Sequence, residues 1–369
     1  MKAPAGLGIV EKARLARFFA ALAVKEHALP RLHVRPLVAE LFLTDNCNLK
    51  CVSCACWRTH TRQELTTDEW KSVIDQLVAL RILKLNFTGG EPLLRRDAAT
   101  IIAYARDAGV RSIHLNTNAI LLDAARRAEV LDAGVRSFNI SVDGPDANTH
   151  DAIRGQDGAF EKTLAHLQAL LAARGHGRLA VRLNFTVLRS NVHALPEIAQ
   201  LAQRLGVRLY LNLGSDTTFL FRHGEVTSLV HVNSGDLRSA LARLEEQARQ
   251  NRRFLPRFSD LRYARHHFAE LVQPTVPCAE SQLKLMVHST GEVGGCWGHD
   301  AVANVRDTSI AAIIDSQHYR NEHEHFFRKE CVGCGSNYSL NLRWRPGTYL
   351  DDLKWRAGRI SLTDEAERV

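Results

Sequence analysis

Several things absent from this 369-residue chain narrow what it can be. It has no run of about eighteen uninterrupted apolar residues, so no transmembrane helix is expected. It shows no secretory signal: the apolar stretch 18–24 ends at Lys25-Glu26 without a small-residue cleavage site. It has no single-sign tail, because the formal charge of +8 is spread along the chain. Neither a nucleic-acid nor a membrane partner is expected. Interleaved charge of this kind forms a solvated surface or helps hold an anionic substrate or a cofactor carboxylate. Without a signal, the eight cysteines belong in a reducing cytoplasm, where metal binding is a better default than disulfides. The length suits one large α/β domain plus a small second one.

Three of the cysteines are gathered in Cys47-Asn48-Leu49-Lys50-Cys51-Val52-Ser53-Cys54, after a strand-like apolar run 37–43 and a short polar turn. Thiolates at spacings of four and three, on a loop leaving a strand, can converge on one inorganic centre. On a [4Fe–4S] cube they hold three irons and leave the fourth open, as a reactive site requires. Spacing alone also admits a zinc site or three buried thiols. A second group, Cys278, Cys296, Cys331 and Cys334, has enough ligands to close either a cluster or a zinc site. From spacing alone zinc is favoured there. A hairpin pattern, 283–288 and 293–296 about a turn at 289–292, joins its first two members. Residues 310–328 then read as a helix leading to the last two. Cys56 is left over and reads as a small buried residue.

Between the two groups, apolar periodicity alternates between strand and helix. Strands are predicted at 37–43, 83–88, 112–116, 137–142, 181–188 and 207–213. Helices are predicted at 68–80, 98–108, 123–133, 159–173 and 192–205, several ending at a glycine. An amphipathic helix at 11–28 precedes them and is expected to pack on the barrel, and 236–250 reads as a further helix. The fold class is therefore α/β: six strand–helix units with right-handed crossovers suit a partial (β/α)6 TIM-like barrel, followed by a small α/β domain. Such barrels carry their chemistry at the carboxyl ends of the strands.

Polar motifs fall at those ends. Thr88-Gly89-Gly90-Glu91-Pro92 follows the second strand. Its glycines let backbone approach a ligand closely, and its carboxylate can receive an ammonium group. Asn116-Thr117-Asn118 follows the third strand and Ser141-Val142-Asp143-Gly144 the fourth. Farther on, Asp216, Arg222, His223, His266 and His267 are polar but form no motif.

The loop Cys47, Cys51, Cys54 resembles the CxxxCxxC motif of radical SAM enzymes, and Gly89-Gly90-Glu91-Pro92 resembles their GGEP motif. The stretch 141–155 is similar to the same region in members that carry auxiliary clusters. The resemblance implies that the GGEP residues hold the amino group of S-adenosylmethionine. It implies that Asn118 serves the ribose and carboxylate groups, that Ser141 and Arg154 contact the cofactor, and that Asp143 supports them. Asn184 and Leu211 fall where the family contacts sugar and adenine. The residue before the third cysteine, often aromatic in the family, is Ser53 here, so adenine packing must come from elsewhere. Cys278, Cys296, Cys331 and Cys334 resemble the ligand set of a Twitch domain, a shortened SPASM domain, of the butirosin aminocyclitol dehydrogenase type. On that resemblance they fully ligate one auxiliary [4Fe–4S] cluster.

The implied organisation is an N-terminal helical extension (1–35), a radical SAM partial barrel (36–214), a linker or lateral wall (215–277), a Twitch domain (278–340) and a tail (341–369). The tail's Trp344, Arg345, Tyr349 and Trp355 either line the pocket or pack. The implied enzyme cleaves S-adenosylmethionine reductively, with electrons from a donor such as flavodoxin or ferredoxin. Its radical takes hydrogen from a natural product or short peptide, with net oxidation favoured over epimerisation or radical addition. A metal-binding module without catalysis is the alternative of another class. No catalytic acid or base can be named. The short N-terminal stretch shows no peptide-recognition domain, which tips the expectation toward a small molecule.

Overall fold

The computed structural model describes residues 8–58, 63–173, 179–214, 232–248, 254–270, 277–296, 301–328 and 346–362. Six strands, β1 (Val38–Thr44), β2 (Lys84–Gly89), β3 (Ser112–Thr117), β4 (Ser137–Ser141), β5 (Ala180–Val187) and β6 (Arg208–Leu213), pair in chain order and in parallel. Each lies within two residues of its sequence prediction. On the other side of β1 the sheet continues with β7 (Lys284–Val287), parallel, then β8 (Glu292–Gly294) and β9 (Ala303–Asn304), both antiparallel. Hence the hairpin read at 283–296 is present, and its first strand extends the same sheet. Among the described residues the sheet is open, with β6 and β9 at its edges.

Alternation sorts the strand residues cleanly. Leu41, Phe87, Leu115, Phe138, Leu183 and Leu209 point to one face and enter the main core. Helices α1 (Ile9–His27), α2 (Thr67–Ala79), α3 (Ala98–Asp107), α4 (Ala124–Asp132), α5 (Ala147–Arg154), α6 (Ala159–Ala172) and α7 (Leu195–Leu205) include those that cover this face. On α2, Trp70, Val73, Ile74 and Leu77 recur at helical spacing and are buried. Each such side chain contributes about 1.5–3 kcal/mol. A capping box between Thr66 and Glu69 starts this helix.

The opposite, inner face is polar. It carries Glu40, Lys84, Asn86, His114, Asn139, Ser141, Arg182, Asn184 and Tyr210, at alternate strand positions to the core residues. An apolar patch is not what binds there, so this face is built for a polar occupant or for solvent.

Helix α1 packs on the barrel as expected, beside Leu37, Val38 of β1 and Leu83, and also meets a surface from later in the chain. Phe18 and Leu22 pack with Val34, Leu37, Ala279, Leu283 and Phe327, mostly in the C-terminal part of the chain. Lys25 is buried and donates to Glu324 at 2.6 Å and to the carbonyls of Pro30 and Leu32. The helix read at 236–250 is α8 (Ser234–Ala248), and α9 (Phe258–Glu270) was not foreseen. A short α10 (Ala279–Leu283) precedes β7. The helix read at 310–328 is broken at Ser316 into α11 (Ile310–Asp315) and α12 (Gln317–Phe327), and α13 (Pro346–Arg356) closes the described chain. No helix of the described residues is long and apolar enough to cross a membrane.

Candidate active site at the strand ends

The cysteine loop leaves the carboxyl end of β1 and is fixed from three sides. Glu64 accepts from the Thr44 hydroxyl at 2.7 Å and from the Asp45 amide at 3.0 Å, which fixes the turn into the loop. Arg95 donates to the Leu43 carbonyl at 3.1 Å and pairs with Asp97.

The second side is the glycine turn after β2. The amides of Gly90 and Glu91 donate to the carbonyls of Thr44 and Asn46 at 2.7 and 2.8 Å. A Cβ at Gly89 would lie 2.3 Å from the Thr44 oxygen, and one at Gly90 2.2 Å from the Asn46 oxygen. The glycines are thus required by the protein's own cysteine loop, which approaches them main chain to main chain.

Glu91 faces inward. It is fully buried, and its carboxylate accepts from the Thr117 hydroxyl (2.8 Å) and from the amides of Asn118 (2.8 Å) and Leu93 (3.1 Å). Burial raises its pKa to about 6, against the pull of these donors. The expectation of a carboxylate offered to an ammonium group meets a carboxylate already engaged. What the turn presents toward the cysteine loop is backbone. Asn118 is engaged in the same way: its Nδ2 donates to Asn48 Oδ1 at 2.8 Å, and its Oδ1 accepts from the Ile120 amide. Together Glu91, Asn118 and Asn48 brace the cysteine loop from the ends of β2 and β3.

The third side is α5. The Val52 amide donates to the Ile153 carbonyl at 2.9 Å. Gly155 ends the helix with φ 66°, and a Cβ there would lie 2.4 Å from the Lys50 oxygen. Both the left-handed turn and the close approach require glycine. Arg154 then points into the loop: one Nη lies 3.7 Å from Cys51 Sγ and the other pairs with Asp143 at 2.8 Å. Asp143 is held by the Thr186 amide at 2.8 Å. Both charges are buried, and each stabilises the other's ionised form.

Cys47, Cys51 and Cys54 share a small cluster with Leu49, Ile120 and Ala159. Burial pushes the Cys47 thiol up to about 12 and raises Cys51, which Arg154 opposes. Cys54 is lowered to about 7, chiefly because the Cys56 thiol donates to it. The Cys56 amide also donates to Cys54 Sγ at 3.4 Å. Cys56, read as a bystander, is therefore a partner of the third cysteine. Among the described residues no three Cys, His, Asp or Glu side chains converge as a single ion needs. A cube takes each thiolate on a different iron, so its cysteines share a rim and need not meet at a point. Three thiols beside one buried guanidinium fit an anionic cluster.

Ser141 and Asn184 are register partners on the inner face, with Tyr210 next to Asn184. The Oδ1 atoms of Asn139 and Asn184 and the Nε of Arg154 are buried without a hydrogen-bond partner. Unmet polar atoms at these positions fit a polar cofactor. The Leu211 side chain lies on the opposite face, in the helix-covered core; only its backbone remains for such a contact. Tyr210 is the inner-face residue that sequence reasoning passed over, although the alternation of Leu209, Leu211 and Leu213 marks it.

In the second group, Cys278 immediately precedes α10 and Cys296 follows β8. Cys331 and Cys334 lie outside the described residues, as do Asp216, Arg222, His223, Trp344 and Arg345. His266 and His267 fall in α9. None of the six described cysteines is in a disulfide. Trp355 packs: its indole donates to Glu245 at 2.7 Å in the core, while Tyr349 is exposed.

Comparison with known proteins agrees with this geometry. The family model described as the Radical SAM superfamily matches residues 41–202. The AdoMet-dependent heme synthase of Methanosarcina barkeri is 39% identical over 46% of this chain and 47% of its own length. The PqqA peptide cyclase of Rhodopseudomonas palustris is 36% identical over 46% of this chain and 44% of its own. The chain thus matches about half the length of these relatives. Among solved structures, Streptococcus suis SuiB bound to S-adenosylmethionine superposes with a TM-score of 0.61 at 16% identity, over 85% of this chain and 72% of that one. The anSMEcpe structure with AdoMet and the Cp18Cys peptide gives 0.62 at 15% identity, over 89% and 98%. Those two likenesses establish the fold. Across residues 41–202 this chain carries a radical SAM domain.

Proposed function

We propose that the chain is a radical SAM enzyme that takes hydrogen from a peptide or other natural-product substrate, favouring net oxidation. The observation that carries this reading is the three-thiol loop, clamped between the Gly89-Gly90 backbone and α5 with Arg154 against Cys51. Cys47, Cys51 and Cys54 would hold a [4Fe–4S] cluster with one open iron. When bound there, S-adenosylmethionine supplies a 5′-deoxyadenosyl radical able to attack an unactivated carbon. The chain's own part is position and shielding. In this reading Gly89, Gly90, Ser141, Asn184, Arg154 and the Leu211 backbone cradle the cofactor, while Glu91, Asn118 and Asp143 hold the cradle's parts in place. Such placement can contribute about 7–11 kcal/mol to lowering a barrier.

Cys278, Cys296, Cys331 and Cys334 would close a second [4Fe–4S] cluster, through which an electron lost by an oxidised substrate leaves. Flavodoxin or ferredoxin would supply the first electron, and the cytoplasm keeps the thiols reduced. We take 36–214 as the catalytic unit and 278–340 as the auxiliary one. The name of the R. palustris relative supports a peptide substrate, as does the mycofactocin maturase of Mycolicibacterium smegmatis, 32% identical over 47% of this chain. The heme synthase relatives favour a second reading, a tetrapyrrole.

Anaerobic reconstitution, iron and sulfide analysis, and an assay for 5′-deoxyadenosine test the proposal. Reconstituted protein should cleave S-adenosylmethionine under strong reductant, and Cys51→Ala should not. A wild-type protein that binds iron yet forms no 5′-deoxyadenosine with either substrate class would sink it. Product mass then separates oxidation, two hydrogens lighter, from epimerisation, which takes deuterium from solvent.

A further inference from the structure

We propose that Lys84 is the ligand of a carboxylate-binding subsite at the amino-terminal ends of the strands, on the inner face of the sheet, and that this subsite holds an acidic end of the substrate. The inference rests on the preceding reading of the inner face as the substrate's chamber.

Lys84 opens β2, on the face opposite Leu85 and Phe87. It shares a register row with Val38 and, across β1, with Lys284. Above this row run Glu40, Asn86 and His114. Two acids face the area, and both are committed to the other lysine: Lys284 Nζ donates to Glu40 at 2.7 Å and pairs with Glu280. Glu40 also accepts from Asn86 at 3.2 Å. Both nitrogens of the His114 ring are engaged, with Ser137 and Asn116, and burial keeps the ring neutral. Among the described residues Lys84 Nζ makes no hydrogen bond or ion pair, while Arg182 and Lys284 repel it and Glu40 and Glu280 attract it from farther off. Lys84 is half-buried, so a ligand can reach its ammonium from the chamber, and a partly desolvated cation gains from an anionic partner. One unmatched positive charge suits a monoanion.

The location says what kind of molecule would carry that anion. Lys84 lies five residues below Gly89, roughly 16 Å at about 3.3 Å per residue. A cofactor held by Ser141 and Arg154 would lie at the upper end, too far away to supply this carboxylate. An elongated substrate that places a reacting carbon above and a carboxylate below would span the distance, as a short peptide or a long-armed acid does.

Burial and the neighbouring cations lower the Lys84 pKa to about 8. An anion that needs the ammonium should therefore bind best below pH 8 and weaken above it. The test uses reconstituted full-length protein under anaerobic conditions, with melting temperature followed against acetate, glutarate, phosphate and chloride at matched ionic strength. The carboxylates should stabilise the wild type below pH 8 and fail to do so well above it. Lys84→Met should weaken the carboxylate response about tenfold or more, and Lys84→Arg should keep part of it. Without ligand, Lys84→Met should melt no lower than the wild type, because an uncompensated charge has been removed. A lower melting point for Lys84→Met with an unchanged carboxylate response would overturn the proposal, since the amine would then be paired with the second oxygen of Glu40. Preference for phosphate would overturn the carboxylate assignment. Uncoupled 5′-deoxyadenosine formation by the wild type is measured alongside, and its absence would count against the enzymatic reading alone and leave the binding result standing.

Discussion

At the scale of single residues, the candidate site is held by contacts that leave no slack. Gly90 is the sharpest case, because the atom that a side chain would strike is a carbonyl oxygen of the cysteine loop. Gly90→Ala should cost about 2 kcal/mol or more in local strain, and the loop should yield before β2 does. We expect reconstituted Gly90→Ala to bind less iron while its circular dichroism is unchanged. Glu91 gives a different signature. The folded chain holds a proton on this carboxyl up to about pH 6, against 4.5 for the ordinary group. Between these values the folded state binds more protons than the unfolded one, so stability falls as pH rises through this window. The size is about 2 kcal/mol. In the iron-free protein, urea titrations from pH 4.5 to 6.5 should show this fall in the wild type and not in Glu91→Gln. A flat wild-type profile would mean that the carboxyl is not enclosed as described.

Among the elements, α5 matters most, since it delivers Arg154 and Gly155 to the loop. It was read from sequence as a motif and not as a helix. It is eight residues long with a polar composition, Ala-Asn-Thr-His-Asp-Ala-Ile-Arg, and buries only His150 and Ile153, too few for a periodic signal. Its start is fixed by Asp146, which accepts from the Thr149 amide at 2.8 Å. By contrast, the strands and α2, α3, α6 and α7 were legible because each has a full apolar face, and α4, which buries only Val130, because a glycine marks its end. The thiol loop was legible because spacing along the chain is what positions neighbouring cysteines. The inward turns of Glu91 and Asn118 were not, because their partners come from β3 and from the cysteine loop, 26 residues away for Thr117 and 70 for Asn48. The second surface that α1 meets, at 279–327, was not legible for the same reason, although the helix's stripe and its packing on the barrel were. At the C-terminal end, Glu245 on α8 accepts from Trp355, the Ser361 hydroxyl and the Leu362 amide. Glu245→Ala leaves these donors unpaired in the core and should cost about 2–4 kcal/mol. Limited proteolysis should then cut within 346–362 before it cuts elsewhere.

In the molecule as a whole, β1 lies between β2 and β7, and the loop that leaves it carries the first three cysteines. Lys284 on β7 joins Glu40 on β1 to Glu280 on α10. Lys284→Met removes one cation from two buried carboxylates and should destabilise by about 3–5 kcal/mol. Stopped short of that, Cys278→Ser and Cys296→Ser should each lose one cluster's worth of iron and keep S-adenosylmethionine cleavage. This outcome would separate the two metal sites experimentally.

The position of β1 also bears on how the chain is made. The sixth strand to follow it in sequence is its direct partner in the sheet: β7 emerges from the ribosome 246 residues after β1, by the pairing of Val38 with Lys284 (284 − 38). Until then one flank of β1 offers unpaired amides and carbonyls to any passing strand. A nascent chain ending at residue 214 should consequently self-associate where the full chain does not, and iron insertion is best timed after synthesis ends.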